Sequence, residues 1–135
     1  MSERAARSVF GEIKAVRAQA VEGPAPQTET TVYIGADEPV FHGHYPGFPI
    51  LPGVCLVECA HRSALLTMPA TGVRGASRLA AVESARFLGP VYPDETISFE
   101  LTWKPVDSGW QCRVVARSPR GESARICLRY TAKDA

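Results

Sequence analysis

The sequence PGVCLVECAHRSALLTMP, residues 52–69, has the pattern of a buried helix. It is apolar on nearly every side for about four turns, with a proline at its start and another just past its end. A helix that is apolar all round must lie inside the protein. In a chain of this length, the economical arrangement is an α+β fold in which one curved antiparallel sheet wraps around a central helix.

Alternating apolar and polar residues on both sides of this helix predict strands. The clearest are TISFELTW (96–103), WQCRVVAR (110–117) and SARICLRY (123–130), which turn sequences separate, so that an antiparallel meander follows. RLAAVESARF (78–87) and TETTVYIG (28–35) predict two more strands, whereas EIKAVRAQAV (12–21) fits a strand or a helix.

Composition narrows the class of protein. The 135 residues, 45% hydrophobic and 21% charged, fit one globular domain spanning residues 1–135. A net charge of +1 argues against a nucleic-acid binder driven by bulk electrostatics. Without an apolar run of bilayer length or a recognisable export signal, we expect a cytoplasmic protein that does not enter membranes. Its four cysteines lack a CxxC spacing and are expected to be reduced, mostly buried thiols.

The chemistry is concentrated just before and within the predicted helix. Prolines stiffen residues 43–53 and place His44 on a rigid loop, whereas the glycines of this stretch allow close backbone approaches. At the helix start, the N–H groups around Gly53 and Val54 lack intrahelical acceptors and carry the positive end of the helix dipole. Glu58 interrupts the apolar helix surface and therefore needs a structural mate or a function. Together these groups are suited to proton removal next to a carbonyl: His44 takes the proton, the N–H groups hold the enolate oxygen, and Glu58 handles a leaving group.

Two signatures in this region resemble a known family. GHYPGFPILPGVCLVE, residues 43–58, closely resembles the GHFPGxPxxPGVxxxE signature of the FabZ-type 3-hydroxyacyl-[acyl-carrier-protein] dehydratases of the hotdog fold, and ARFLGPVYPDE, residues 85–95, resembles their FxxPVxPGD signature. The resemblance implies a hotdog dimer with two sites at the subunit interface. It implies reversible loss of water from a 3-hydroxyacyl thioester, which gives the trans-2-enoyl thioester. No metal or redox cofactor is implied, and the phosphopantetheine arm of an acyl carrier protein brings the substrate.

The resemblance also assigns roles to residues. His44 becomes the acid/base group, Glu58 the motif glutamate, and Gly53 the residue whose N–H polarises the thioester carbonyl. An apolar tunnel beside the helix would hold the acyl chain, and we expect four side chains to line it: Phe48, Leu51, Val54 and Phe87.

This sequence departs from the family pattern at three places. No segment before residue 10 resembles the family's LPHRxPFLLVDRV, and PDE at 93–95 replaces PGD in a turn, a change expected to matter little. Arg62 replaces a glutamine one turn after Glu58, where a guanidinium is expected to favour the ionised carboxylate. The divergence suggests a specialised member, serving a polyketide or polyene pathway rather than bulk fatty-acid synthesis.

Other readings stay open at this point. His42, His44, Glu58 and His61 are metal-ligand types at ligand-like spacings, which would suit a mononuclear metal enzyme. Taken singly, His61 fits better as a satisfied, partly buried residue. A non-catalytic hotdog subunit that binds acyl chains within a heterodimer is a further alternative. Arg74, Arg78 and Arg120 are candidates for contacting the carrier, although a solvated face explains them better.

Overall fold

The computed structural model describes residues 9–17, 26–42, 49–69 and 78–131. Its strands are β1 (Ile13–Arg17), β2 (Gln27–Ile34), β3 (Arg78–Phe87), β4 (Glu95–Val106), β5 (Gly109–Ser118) and β6 (Gly121–Thr131). One α-helix, α1 (Gly53–Thr67), lies between β2 and β3, and a 3-10 turn covers Pro39–Phe41. The five predicted strands and the helix are confirmed, and the ambiguous segment begins with a strand.

The strands form one antiparallel sheet in the order β1-β2-β4-β5-β6-β3. The predicted meander of β4, β5 and β6 occupies its middle. Because β2 pairs with β4 and β3 pairs with β6, α1 carries the chain from one side of the meander to the other. This crossing leaves β1 and β3 as the two edges.

One face of the sheet and one side of α1 make the core. The inward-facing residues predicted for the meander are buried: Ile97, Phe99, Leu101, Trp103, Trp110, Cys112, Val114, Ala116, Ala124, Ile126, Leu128 and Tyr130. Against them α1 packs mainly small side chains, among them Cys55, Cys59, Ala60 and Ala64. Small residues on this side allow the helix axis to approach the sheet closely.

Buried hydroxyl groups join α1 to β2. Thr28 Oγ1 lies 2.9 Å from Thr67 Oγ1, and Thr30 Oγ1 lies 2.6 Å from Ser63 Oγ. Trp103 Nε1 also donates to Thr28 Oγ1 at 2.9 Å, so these polar groups are satisfied inside the core. Because each hydroxyl must meet its partner, the pairs fix the rotation of the helix against the sheet.

The expectation that α1 is buried on all sides is wrong for the single chain. Val54 is 71% exposed, and Leu65 and Leu66 are about half exposed. The cause is geometric, because the sheet covers only one side of the helix and these residues lie on the other. The chain therefore presents an apolar helix surface to its surroundings.

The cysteines behave largely as predicted. Cys59, Cys112 and Cys127 are free thiols. Cys55, Cys59 and Cys112 are buried, whereas Cys127 is partly exposed. Within the described ranges, no helix has the length and apolarity needed to cross a membrane.

Candidate active site at the start of the helix

A cleft of about 580 Å³ opens where α1 begins. Two segments that are distant in the sequence form it: residues 50–56, before and within the helix, and residues 87–90, at the end of β3 and just after it. The cleft brings together four of the predicted site residues: Leu51, Gly53, Val54 and Phe87.

Gly53 and Phe87 are in direct contact in this cleft. A Cβ atom added to Gly53 would lie 2.8 Å from Cε1 and Cζ of the Phe87 ring, so only glycine fits beneath the ring in this arrangement. Pro52, the N-cap residue, offers no polar side chain, and the first N–H with a backbone acceptor is that of Cys55, bonded to Pro52 O at 3.0 Å. The donors at Gly53 and Val54 thus lie at an apolar cleft at the positive end of the helix.

Backbone hydrogen bonds tie the two segments together. Leu51 N donates to Val91 O at 2.9 Å, and Val91 is fully buried. Leu88 N and Gly89 N both donate to Ser123 O, at 2.9 and 3.3 Å. The segment after β3 is therefore bonded to the helix approach on one side and to β6 on the other.

Glu58 lies on α1 five residues after Gly53, about 7.5 Å further along the helix axis, and is partly buried. Burial raises the pKa of the neighbouring Cys59 thiol to about 12, so this thiol stays protonated and does not act as a nucleophile at neutral pH. The predicted role of Glu58 in the chemistry stays a prediction.

His61 has the structural role that was predicted for it. Its Nδ1 lies 2.8 Å from the hydroxyl oxygen of Tyr130, and the two rings stack with 5.7 Å between centroids. Burial lowers the pKa of His61, and the negative charge of Glu58 only partly opposes this effect. At neutral pH His61 is thus a neutral imidazole whose Nδ1 is occupied by Tyr130.

His44 and Phe48 lie outside the described residues, so their predicted roles stay predictions. His42 follows the 3-10 turn and is exposed. In the described part of the chain, no three His, Cys, Asp or Glu side chains are grouped as a metal site would require, and this includes His42, Glu58 and His61.

Arg62 has a role that the sequence did not suggest. Its two terminal nitrogens donate to Val9 O at 2.8 Å and Gly11 O at 2.9 Å. The buried carboxylate of Glu38 accepts from Phe10 N at 2.7 Å and Gly11 N at 2.8 Å. The two charged side chains together hold the main chain of residues 9–11 against the helix. The influence of Arg62 on the Glu58 carboxylate stays a prediction.

This contact gives a test of Arg62. We expect Arg62→Gln to lower the free energy of unfolding by about 1–3 kcal/mol, because two carbonyl groups lose a charged donor. Denaturant unfolding measures this loss, and Arg129→Gln, which removes an exposed partner of Glu83, is the matched control. A pH–rate profile of the same variant tests the effect on Glu58. An unchanged free energy of unfolding would show that the hydrogen bonds from Arg62 to Val9 and Gly11 do not stabilise the fold.

In the turn at PDE, the Asp94 side chain makes contacts that the sequence did not suggest. Asp94 has φ 65°, in the left-handed region where the family signature carries glycine. Its Oδ1 accepts hydrogen bonds from the Tyr33 hydroxyl at 2.7 Å and from Ala36 N at 3.1 Å. The aspartate therefore offsets an unfavourable backbone conformation by tying the turn to the end of β2.

Sequence reasoning missed five residues that line the cleft: Ile50, Leu56, Leu88, Gly89 and Pro90. The signal was present, because both signatures contain these positions and the cleft forms where the two signatures meet. Taking each signature as a continuous segment would have found them.

Comparison with known protein families shows to which family this chain belongs. Residues 20–123 match the ApeI-like family, described as ApeI dehydratase. The chain belongs to this family. Its ApeI-like segment includes both quoted signatures and every described residue of the cleft. Across 67 residues the chain is 43% identical to the 3-hydroxyacyl-[acyl-carrier-protein] dehydratase FabZ of Thermus thermophilus. This aligned region covers 47% of each protein. The chain spans about half the length of the curated relatives it matches.

Solved structures confirm the hotdog fold of this ApeI-like chain. The dehydratase heterocomplex ApeI:P of Xenorhabdus doucetiae contains a chain with TM-score 0.59 and 20% identity, covering 78% of this chain and 87% of that one. An uncharacterized protein from Erwinia carotovora gives TM-score 0.67 and 21% identity, covering 90% and 97%. At these identities the likeness concerns the fold alone.

Proposed function

We propose that the protein removes water from 3-hydroxyacyl thioesters carried on an acyl carrier protein and releases trans-2-enoyl thioesters, in fatty-acid or polyketide and polyene biosynthesis. The observation that carries this proposal is the apolar cleft at Gly53, where the start of α1 meets Phe87. Membership of the ApeI-like family and the similarity to FabZ support it.

The cleft suits the electronic demands of this reaction. Removing a proton from C2 places negative charge on the thioester oxygen, and the N–H of Gly53 would stabilise that charge at the helix start. His44 would take the C2 proton and deliver it to the 3-hydroxyl as the C3–O bond breaks, so that water leaves. Glu58, as an anion, would orient that hydroxyl. The acyl chain would extend along Leu51, Val54 and Phe87, and the reaction needs no metal or redox cofactor.

Exposed apolar surface supports a dimer. β3 is an edge strand of ten residues, most of them exposed, and its free edge offers backbone groups to a second strand. Val82 and Phe87 at this edge, with Val54 and Leu65 on the uncovered side of α1, are each at least 45% exposed. A second hotdog subunit, identical or different, would cover this surface. His44 of one subunit would then face Glu58 of the other.

One experiment tests the reaction directly. We expect the protein, incubated with 3-hydroxyacyl thioesters of different lengths on carrier protein, to give products lighter by the mass of one water. Chelator treatment should leave the rate unchanged, whereas a chelator-sensitive rate would support the metal enzyme. If the protein alone binds acyl chains without turnover, and turnover begins only when a second hotdog subunit is added, the non-catalytic alternative would be supported. The heterocomplex of Xenorhabdus doucetiae is a reason to include this alternative.

A further inference from the structure

The wall of the cleft is held from outside by a side chain that does not line it. Residues 88–90 line the cleft, and the chain then continues through residues 91–95 into β4. Arg120, in the turn between β5 and β6, contacts this segment through Pro90 and Glu95. We propose that Arg120 is a positioning residue that fixes this wall against the acyl chain, an inference that rests on the proposed function.

Arg120 holds the segment at three points. Its Nη2 donates to Pro90 O at 2.7 Å and to Glu95 Oε1 at 3.0 Å, and its Nη1 forms an ion pair with Glu95 Oε2. Its guanidinium also lies over the Tyr92 ring, 4.6 Å from the centroid. Glu95 Oε1 accepts from Tyr92 N at 2.9 Å as well, so the carboxylate links the guanidinium to the backbone of the same segment.

These contacts differ from an ordinary surface ion pair, which contributes little to stability. The Glu95 side chain is 14% exposed and that of Arg120 is 44% exposed, but the guanidinium has both a carboxylate and a carbonyl as partners. The hydrogen bond from Arg120 also lowers the pKa of Glu95, which favours the ionised carboxylate in this pair. This occupation argues against Arg120 as a contact for the carrier protein.

The position of the segment matters because it joins both walls of the cleft. Pro90 lines the cleft, and its carbonyl is the group that Arg120 holds. The next residue, Val91, accepts the hydrogen bond from Leu51 N on the opposite wall. When the outer contact is lost, we expect Leu88 and Pro90 to shift and the distance across the cleft to vary. A long acyl chain, which contacts more of this wall, is affected more than a short one.

The test is binding of unreactive saturated acyl-pantetheine thioesters of increasing chain length, measured by calorimetry. We expect Arg120→Ala to raise the Kd of the longest chains about threefold to tenfold and to leave the shortest nearly unchanged. Arg120→Lys keeps the charge but lacks the paired donors of a guanidinium, so its Kd for the longest chains should lie between those of the wild type and Arg120→Ala. With 3-hydroxyacyl substrates, the KM of long chains should rise in parallel while kcat stays close to the wild-type value.

Arg125→Ala is the matched control, since Arg125 makes a two-point pair with Glu122 next to the same turn. A loss in Arg120→Ala that is equal at all lengths, or that Arg125→Ala reproduces, would overturn the inference. Wild-type protein that binds no acyl chain would overturn it as well, because there would be no acyl wall to position. Length-dependent binding without any turnover would instead contradict the proposed function and support the positioning role.

Discussion

We expect His44→Ala to lower the rate of water loss by about 10²- to 10⁴-fold, the range that a general base contributes, and to leave the folded protein intact. The reason is that two nearby groups in the described part of the chain, His61 and Cys59, are not free to take over proton removal from C2. His61 is partly buried, with Nδ1 occupied by Tyr130, and the Cys59 thiol is buried and protonated. Rates on a 3-hydroxyacyl carrier thioester, with melting temperatures measured in parallel, check this result.

His42→Ala is the control for this experiment. His42 is exposed and lies two residues before His44, so its replacement should change the rate far less. Equal losses for the two variants at unchanged melting temperature would contradict the assigned role of His44. That outcome would favour a site in which both histidines bind one metal ion.

We expect two inactive variants to regain activity when they are refolded together. His44→Ala and Glu58→Ala are each expected to be inactive as homodimers, because every site then lacks one of the two groups. Random pairing makes about half of the dimers mixed. Each mixed dimer has one intact site and one without either group, so the recovered rate approaches about a quarter of the wild-type rate.

Native mass spectrometry provides the control, since it counts mixed dimers independently of activity. Mixed dimers without recovered activity would rule out a site shared between subunits and place both groups in one chain. An inactive wild-type homodimer that turns over substrate after a different hotdog subunit is added would identify the protein as half of a heterodimer.

Local pattern was sufficient to predict most of the fold. In β4, Ile97, Phe99 and Leu101 alternate with polar residues, and all three are fully buried in the sheet. Pro52 and Pro69 bracketed the helix to within two residues, because a proline is tolerated at a helix start and ends a helix beyond its last turn. These features depend on neighbours in the sequence, which is why a single sequence predicts them.

The candidate site was only partly predictable. Gly53 and Phe87 came from two signatures, and the structure places them in contact. The contacts of Arg62 with Val9 and of Arg120 with Pro90 were missed, because they join residues 53 and 30 positions apart and depend on how the chain folds back. The uncovered side of α1 was also missed, since periodicity does not show how much of a helix one sheet can cover.

The hydrogen bonds of Glu38 and Arg62 with the main chain of residues 9–11 have a consequence for labelling this protein. Both side chains bind main-chain groups, which every residue type other than proline supplies. These hydrogen bonds therefore do not depend on the side chain at residue 10. Phe10 itself is half exposed and lies beside Leu65 and Leu66 on the uncovered part of α1. A fluorophore attached at this position would be held by a fixed backbone next to an apolar surface, and its emission would report when another molecule covers that surface.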